Sequence, residues 1–161
     1  MSSSKLDHDL SHLLAAVARY ARTGVRSTHE VHAYLQRRGV PAAVAQRVLA
    51  ECRAQSLLDD EVCARLWAEH WARGGYAWAV ISAKLAAKGF GTHAIQHAAE
   101  HLKATSDDIT RARLLVAARK RSSPGGRARA RLAQLLASRG FESDLIEQVL
   151  NESVGSPPND D

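Results

Sequence analysis

Leu85-Ala86-Ala87-Lys88-Gly89 ends in a basic residue followed by a glycine, and the same arrangement stands at Leu35-Gln36-Arg37-Arg38-Gly39 and at Leu136-Ala137-Ser138-Arg139-Gly140. The three glycines follow one another after 50 and then 51 residues, and another glycine lies 15 positions upstream of each, at Gly24, Gly74 and Gly125. Punctuation that keeps one period across most of a chain marks a structural unit written three times, and a repeat decides the fold before any single element does.

Between these glycines the apolar residues keep helical spacing. Leu10, Leu13, Leu14, Val17 and Tyr20 fall three or four apart, the stripe of an amphipathic helix over Leu6 to Arg22 that Gly24 ends. Ser27 followed by Glu30 is a capping box, opening a helix through Val31, Tyr34 and Leu35 that stops at Gly39. Pro41 suits the first turn of a third helix through Val44, Val48 and Leu49. The second unit repeats this order. Asp59 or Asp60 caps a helix carrying Val62, Leu66 and Trp67, Gly74-Gly75 ends it, and helices over Tyr76 to Lys88 and Thr92 to Lys103 follow.

In the third unit, Ser106 is the expected cap, with Asp107 and Asp108 in the first turn of a helix through Ile109, Leu114 and Leu115. Pro124-Gly125-Gly126 breaks it, and helices over Arg127 to Arg139 and Ser143 to Glu152 complete the unit. The predicted fold is all-α, three tandem three-helix repeats forming an elongated, curved array. Its expected divisions are a disordered 1–5, repeats over 6–55, 56–104 and 105–153, and a disordered tail over 154–161. A unit of about 50 residues is near the lower limit for an independent core, so neighbouring repeats are expected to support one another.

Composition agrees. The 161 residues are 45% hydrophobic and only 5% aromatic, so the core must come from close contact of Ala, Leu and Val, which favours helices. No strand alternation stands out, and Gly74-Gly75 and Gly125-Gly126 lack the pattern of a phosphate-binding loop. No apolar run approaches the roughly 18 to 20 residues that span a bilayer, and the polar start MSSSKLDHDLSHLL does not read as a signal peptide, so a cytoplasmic protein without membrane contact is expected. Cys52 and Cys63 fit no CxxC pattern and read as reduced, partly buried thiols.

Charge is uneven. From Lys103 to Arg131 nine Lys and Arg stand against Asp107 and Asp108, a surplus of seven positive charges in a chain whose net charge is +5, so the remainder is slightly acidic. Such a segment suggests an acidic partner, either nucleic acid or a protein surface beside it; the plainer reading is a solvated helical face.

The run Leu57-Leu58-Asp59-Asp60-Glu61, then Ala64, then Arg73-Gly74-Gly75-Tyr76, then Ile81, Leu85, Lys88 and Gly89 resembles the RecX family, regulatory proteins of the RecA recombinase. Ser27, Glu30, Leu35, Arg38 and Gly39 match the opening repeat of that family, and the resemblance extends from Tyr20 to about Ala99. In one place the chain departs: after Tyr76 the family has a glycine and basic residues, where this chain has Ala77, Trp78, Ala79 and Val80, so Trp78 is expected to replace a basic contact with apolar burial. The resemblance implies tandem three-helix units, no catalytic chemistry and no cofactor. It further implies a monomer that binds the RecA filament on single-stranded DNA and lowers its ATP hydrolysis, strand exchange and co-protease activity.

The residues expected to meet that partner are Arg111, Arg113, Arg119, Lys120, Arg121, Arg127 and Arg131, joined by Lys84, Lys88 and Arg73. Helix-dipole capping accounts for one or two cations at Arg119, Lys120 and Arg121 but not for the whole field. Arg127 and Arg131, four apart, share a helix face, and Arg129 points elsewhere. A direct DNA-binding array using the same arginines on phosphates is the alternative. His93, His97 and His101 have a spacing that suits metal ligands, but no evident carboxylate or thiolate completes a site, and a solvated or half-buried face is expected. Trp67 and Trp71 are expected in the core rather than as stacking platforms, and Asp59, Asp60 and Glu61 as capping residues rather than acid-base groups.

Overall fold

The structure is a computed structural model that describes residues 3–120 and 127–154. Among the described residues it is helical throughout, without strands: α1 (Ser3–Arg22), α2 (Thr28–Arg37), α3 (Ala42–Ala54), α4 (Asp60–Arg73), α5 (Trp78–Ala87), α6 (Thr92–Thr105), α7 (Asp108–Lys120), α8 (Arg127–Ser138) and α9 (Ser143–Val154). The predicted all-α repeat is thus present, three helices at a time. None of the described helices is long and apolar enough to cross a membrane. The predicted break at Pro124-Gly125-Gly126 and most of the two ends lie outside the described residues.

Local chemistry sets the helix starts. Ser27 caps α2 in a complete capping box, its hydroxyl accepting the Glu30 amide at 3.1 Å while the Ser27 amide donates to the Glu30 carboxylate at 2.9 Å. Asp59, rather than Asp60, caps α4 by accepting the amides of Glu61 and Val62, both at 3.1 Å. Two expectations need correction. Pro41 is the N-cap of α3 rather than a member of its first turn. Asp107, not Ser106, caps α7, accepting the Thr110 amide at 3.0 Å; the Ser106 carbonyl is instead taken by Arg111, and the helix begins at Asp108.

The chain packs as two compact units, one of Met1–Trp67 with Leu85–His97, the other of Ala68–Lys84 with Ala98–Asp161, so the division runs through α4, α5 and α6. The first unit is built on Val17, Val31, Leu35, Val48, Leu49 and Cys52, all buried. The second centres on Val116, Leu136, Phe141, Val149 and Leu150, with Ala77 and Ala112 wholly enclosed. Alanine at closest-approach positions brings helix backbones together, which compensates for the scarcity of large rings.

Within each unit, consecutive repeats interlock by four contacts at equivalent places. In the first unit Gly89 lies in the left-handed region at φ +83°, and a Cβ there would overlap the His29 side chain at the start of α2. Beside it the Ser27 hydroxyl donates to the Lys88 carbonyl at 3.0 Å. Asp60, freed from capping, accepts the Thr28 amide at 2.7 Å, and the Cys63 thiol donates to the Arg26 carbonyl at 3.3 Å. In the second unit Gly140, at φ +88°, leaves the room that Val80 fills. There the Ala77 amide donates to the Arg139 carbonyl at 2.9 Å, Asp108 accepts the Trp78 amide at 3.0 Å, and Arg111 donates to the Tyr76 carbonyl at 2.9 Å. Arg111 stands where the first junction has Cys63, although the opening helices are offset by 48 residues (108 − 60 and 111 − 63) and the repeat glycines by 51 (140 − 89).

Arg111 is 3% exposed and also donates to the Ser106 carbonyl and the Asp108 carboxylate. Burial lowers its pKa from the ordinary value, while Asp108 and Asp107 oppose that shift. Glu30 is likewise a junction residue, since its carboxylate lies 3.3 Å from Lys88 Nζ. Burial works against its charge, but the Ser27 amide and Lys88 outweigh burial and hold its pKa below the ordinary 4.5.

Three outcomes follow from this packing. Gly89→Ala is expected to lower the melting temperature more than Gly39→Ala. Both carry a left-handed backbone cost of about 1–2 kcal/mol, but only Gly89 has a neighbour in the way; equal losses by calorimetry would contradict the interlock. Arg111→Met, which removes the donor to two carbonyls and to the one-third-exposed Asp108, is expected to cost about 1–3 kcal/mol in urea unfolding, against less than about 1 kcal/mol for the exposed Arg119→Met. Because the folded pKa of Glu30 is depressed, its contribution is complete above pH 4.5 and lost as pH falls below it. Glu30→Gln is therefore expected to flatten the decline of melting temperature on acidification, read between pH 7 and 3.

Candidate functional site

The arginines of the third repeat separate into those that serve the fold and those that face solvent. Arg111 leaves the set expected to meet a partner: its guanidinium is enclosed by Tyr76, Ser106 and Asp108. Arg113 is half exposed and forms a two-pronged pair with Glu152, both contacts 2.9 Å. That pairing raises the pKa of Arg113 and lowers that of Glu152. Arg119 is exposed further along α7; Arg121 and the side chain of Lys120 lie outside the described residues. On α8, Arg127 and Arg131 are exposed one turn apart, as expected, and Arg129 is turned to Asn151 of α9, donating to its Oδ1 at 2.8 Å.

The remaining expected cations divide in the same way. Lys84 is half-buried, its ammonium 5.5 Å from the Trp71 ring centre and 5.3 Å from that of Tyr76. Lys88 lies 4.1 Å from the centre of the Trp67 ring as well as beside Glu30. Both lysines hold scaffold contacts, cation against aromatic face. Trp67 and Trp71 are accordingly half-buried rather than enclosed in the core, and the Trp67 indole N–H donates to the Val25 carbonyl at 3.3 Å. Trp78 is half-buried too.

Arg73 is exposed at the edge of a groove of about 780 Å³ within the second unit, walled by Leu102, Leu115, Ala118 and the Gly74-Gly75 turn. Leu114 stands at this groove with 64% of its surface exposed, although its helical spacing marks it as apolar. The helix turn points it outward while Ala112 and Val116 carry the core side.

The histidine series does have carboxylates facing it, contrary to expectation. Glu61 lies 3.0 Å from His93 and 4.0 Å from His97, and Glu69 lies 2.8 Å from His101. Each acid comes from α4, a helix remote in sequence from α6, which is why spacing along α6 does not disclose it. Among the described residues no group of three or more His, Cys, Asp or Glu is arranged to hold a metal ion.

Two cationic features escape the sequence. Arg139 packs over the Tyr76 ring at 4.5 Å and donates to the Gly74 carbonyl. In the first unit the rings of Tyr20 and Tyr34 stack at 4.3 Å and 4°, with Arg26 over the Tyr20 ring and Arg38 over the Tyr34 ring. The basic residue before each repeat glycine is the available signal, since all three reach an aromatic ring.

What Arg119, Arg127 and Arg131 offer chemically is a group of exposed guanidinium cations, suited to phosphate or carboxylate. Residues 106–150 match the family model for RecX, third three-helix domain. The chain is similar in fold to the crystal structure of RecX from Lactobacillus salivarius, with a TM-score of 0.72 and 19% identity over 91% of this chain and 97% of that one. It is also similar to a crystal structure of regulatory protein RecX, with a TM-score of 0.71 and 20% identity over 91% of this chain and 74% of that one. Comparison with curated protein sequences finds no match. The last repeat thus matches the third three-helix domain of RecX, and the chain shares the fold of the RecX structures over 91% of its length.

Proposed function

We propose that the protein is a non-enzymatic modulator of the RecA recombinase that binds the RecA filament on single-stranded DNA and limits its ATP hydrolysis, strand exchange and co-protease activity. The observation that carries this reading is the exposed cationic set of the third repeat, Arg119, Arg127 and Arg131, within the segment that matches the family model, with Arg113 beside them already paired to Glu152. These side chains are not consumed by the junctions, so their charge is available to acidic protein surface and to DNA phosphate. Lys120, Arg121 and Arg73 belong to the same proposed surface. Lys84 and Lys88 act through the scaffold that presents it. The protein works as a cytoplasmic monomer without a cofactor.

Titration of the protein into a RecA ATPase assay on single-stranded DNA is expected to lower hydrolysis below equimolar ratio. No effect at equimolar, demonstrably folded protein would reject the reading. The triple variant Arg119→Glu, Arg127→Glu, Arg131→Glu is expected to weaken inhibition by about tenfold or more while melting like the parent. Salt separates the two sources of affinity. Each single-stranded DNA phosphate that a variant no longer neutralises makes the slope of log K against log salt shallower by about 0.7. Tight, salt-sensitive binding to naked duplex without recombinase would favour a direct DNA-binding protein.

A further inference from the structure

Lys88-Gly89 and Arg139-Gly140 show what the repeated turn does when it is occupied. Each docks against the opening turn of a helix from the preceding repeat. The missing Cβ leaves room for that helix, and the carbonyl before the glycine accepts a donor from the start of the helix, the Ser27 hydroxyl or the Ala77 amide. In the first junction the charge is also matched, Lys88 meeting Glu30 at the third position of α2.

Arg38-Gly39 has the same backbone. Gly39 lies at φ +73°, and the amides of Gly39 and Val40 return to Gln36 and Leu35 just as those of Gly89 and Phe90 return to Ala86 and Leu85. Yet among the described residues nothing lies within 4 Å of a Cβ placed on Gly39. Beside it opens a groove of about 400 Å³, walled by Leu10, Leu13, Val40 and Val44, with Asp9, His12 and Arg47 also lining it. Arg38 is exposed but not free to wander: it donates to the Tyr34 hydroxyl at 2.8 Å and rests on the Tyr34 ring, which Tyr20 supports by stacking. Arg37 and Arg47 are exposed on either side of the turn in sequence.

We infer that the Arg38-Gly39 turn and the adjoining groove dock the first turn of a helix in another protein, one that carries an Asp or Glu at its third helical position to meet Arg38 as Glu30 meets Lys88. A second copy of this chain is a poor occupant. In the repeat register, position 30 corresponds to 80 and then to 131, so a copy stacked on the last repeat would set Arg38 against the exposed Arg131. Combined with the proposed function, on which this step rests, the helix belongs to a subunit of the RecA filament, and the first repeat contributes a protein contact separate from the arginines of the third.

The test uses the full chain with a benzophenone amino acid at position 47, photolysed with RecA filaments on single-stranded DNA and mapped by mass spectrometry. The expected crosslink falls on the opening turn of a RecA helix with an acidic third residue. Co-sedimentation is expected to be weakened about tenfold by Arg38→Glu, which removes a charge-assisted hydrogen bond, and by Gly39→Asn, which fills the docking space; asparagine tolerates the left-handed turn. Arg38→Lys, the residue type of the second repeat, is expected to bind like the parent. Parent-like binding by both disruptive variants, crosslinks only between copies of this chain, or no crosslink from position 47 while the same probe at position 119 reacts would overturn the inference and leave the proposed function standing. Absence of any co-sedimentation by the parent would overturn both.

Discussion

The fit of a glycine turn against the start of the preceding repeat's second helix is the constraint on which the rest depends. A helix must stop where its neighbour's backbone passes, and only a residue with no side chain both adopts the left-handed conformation that ends the helix and leaves room for that neighbour. Gly89 against His29 and Gly140 against Val80 satisfy both demands at once. The cap and junction residues are then tied to the same point. Ser27 caps α2 and donates to Lys88, while the adjacent acids Asp59 and Asp60 divide the work, one capping its own helix and the other holding the amide of the preceding repeat.

The two junctions solve one geometric problem with different chemistry. At the position where the opening helix of a repeat meets the preceding loop carbonyl, the first junction uses a cysteine thiol and the second an arginine. A thiol is small and nearly apolar, so its burial is cheap and its hydrogen bond weak. A guanidinium brings several donors and a charge that must be compensated, and Asp108 with the Ser106 carbonyl supplies the compensation. The arginine therefore makes the second junction more dependent on its neighbours, because three acceptors share the donors of one enclosed guanidinium.

These particulars explain what can be read from sequence. The repeat, the capping box at Ser27 and the helix stops are legible because each is local: a spacing, a residue pair three apart, a glycine. The fate of Arg111 is not, since in a run containing Arg113, Arg119 and Arg121 it is one cation among many, and the glycine period does not bring it level with Cys63, whose place it takes in the junction. Glu61 and Glu69 fall on α4 by sequence alone, but their pairing with the histidines of α6 is made between helices and leaves no trace in spacing. Leu114 misleads in the opposite sense: a leucine in an apolar pattern reads as core, while Ala112 and Val116 take the buried side.

The same distinction bears on how charge is turned into function in this fold. Arg111, Arg139, Lys84 and Lys88 are each held by a carbonyl, a carboxylate or an aromatic face that belongs to the scaffold, so a count of basic residues overstates what a partner meets. Two of these, Lys88 and Arg139, are tied to the repeat period, since the residue before each glycine is basic in all three units; Arg119, Arg127 and Arg131 follow no such period and sit in the one segment where Asp107 and Asp108 are the only acids. Residues that recur with the repeat answer to packing, which is the same problem in every copy. A recurring residue is open to a partner only where its junction is unfilled, as at Arg38-Gly39, and residues such as Arg119, Arg127 and Arg131 that do not recur and stay exposed are free of the packing requirement.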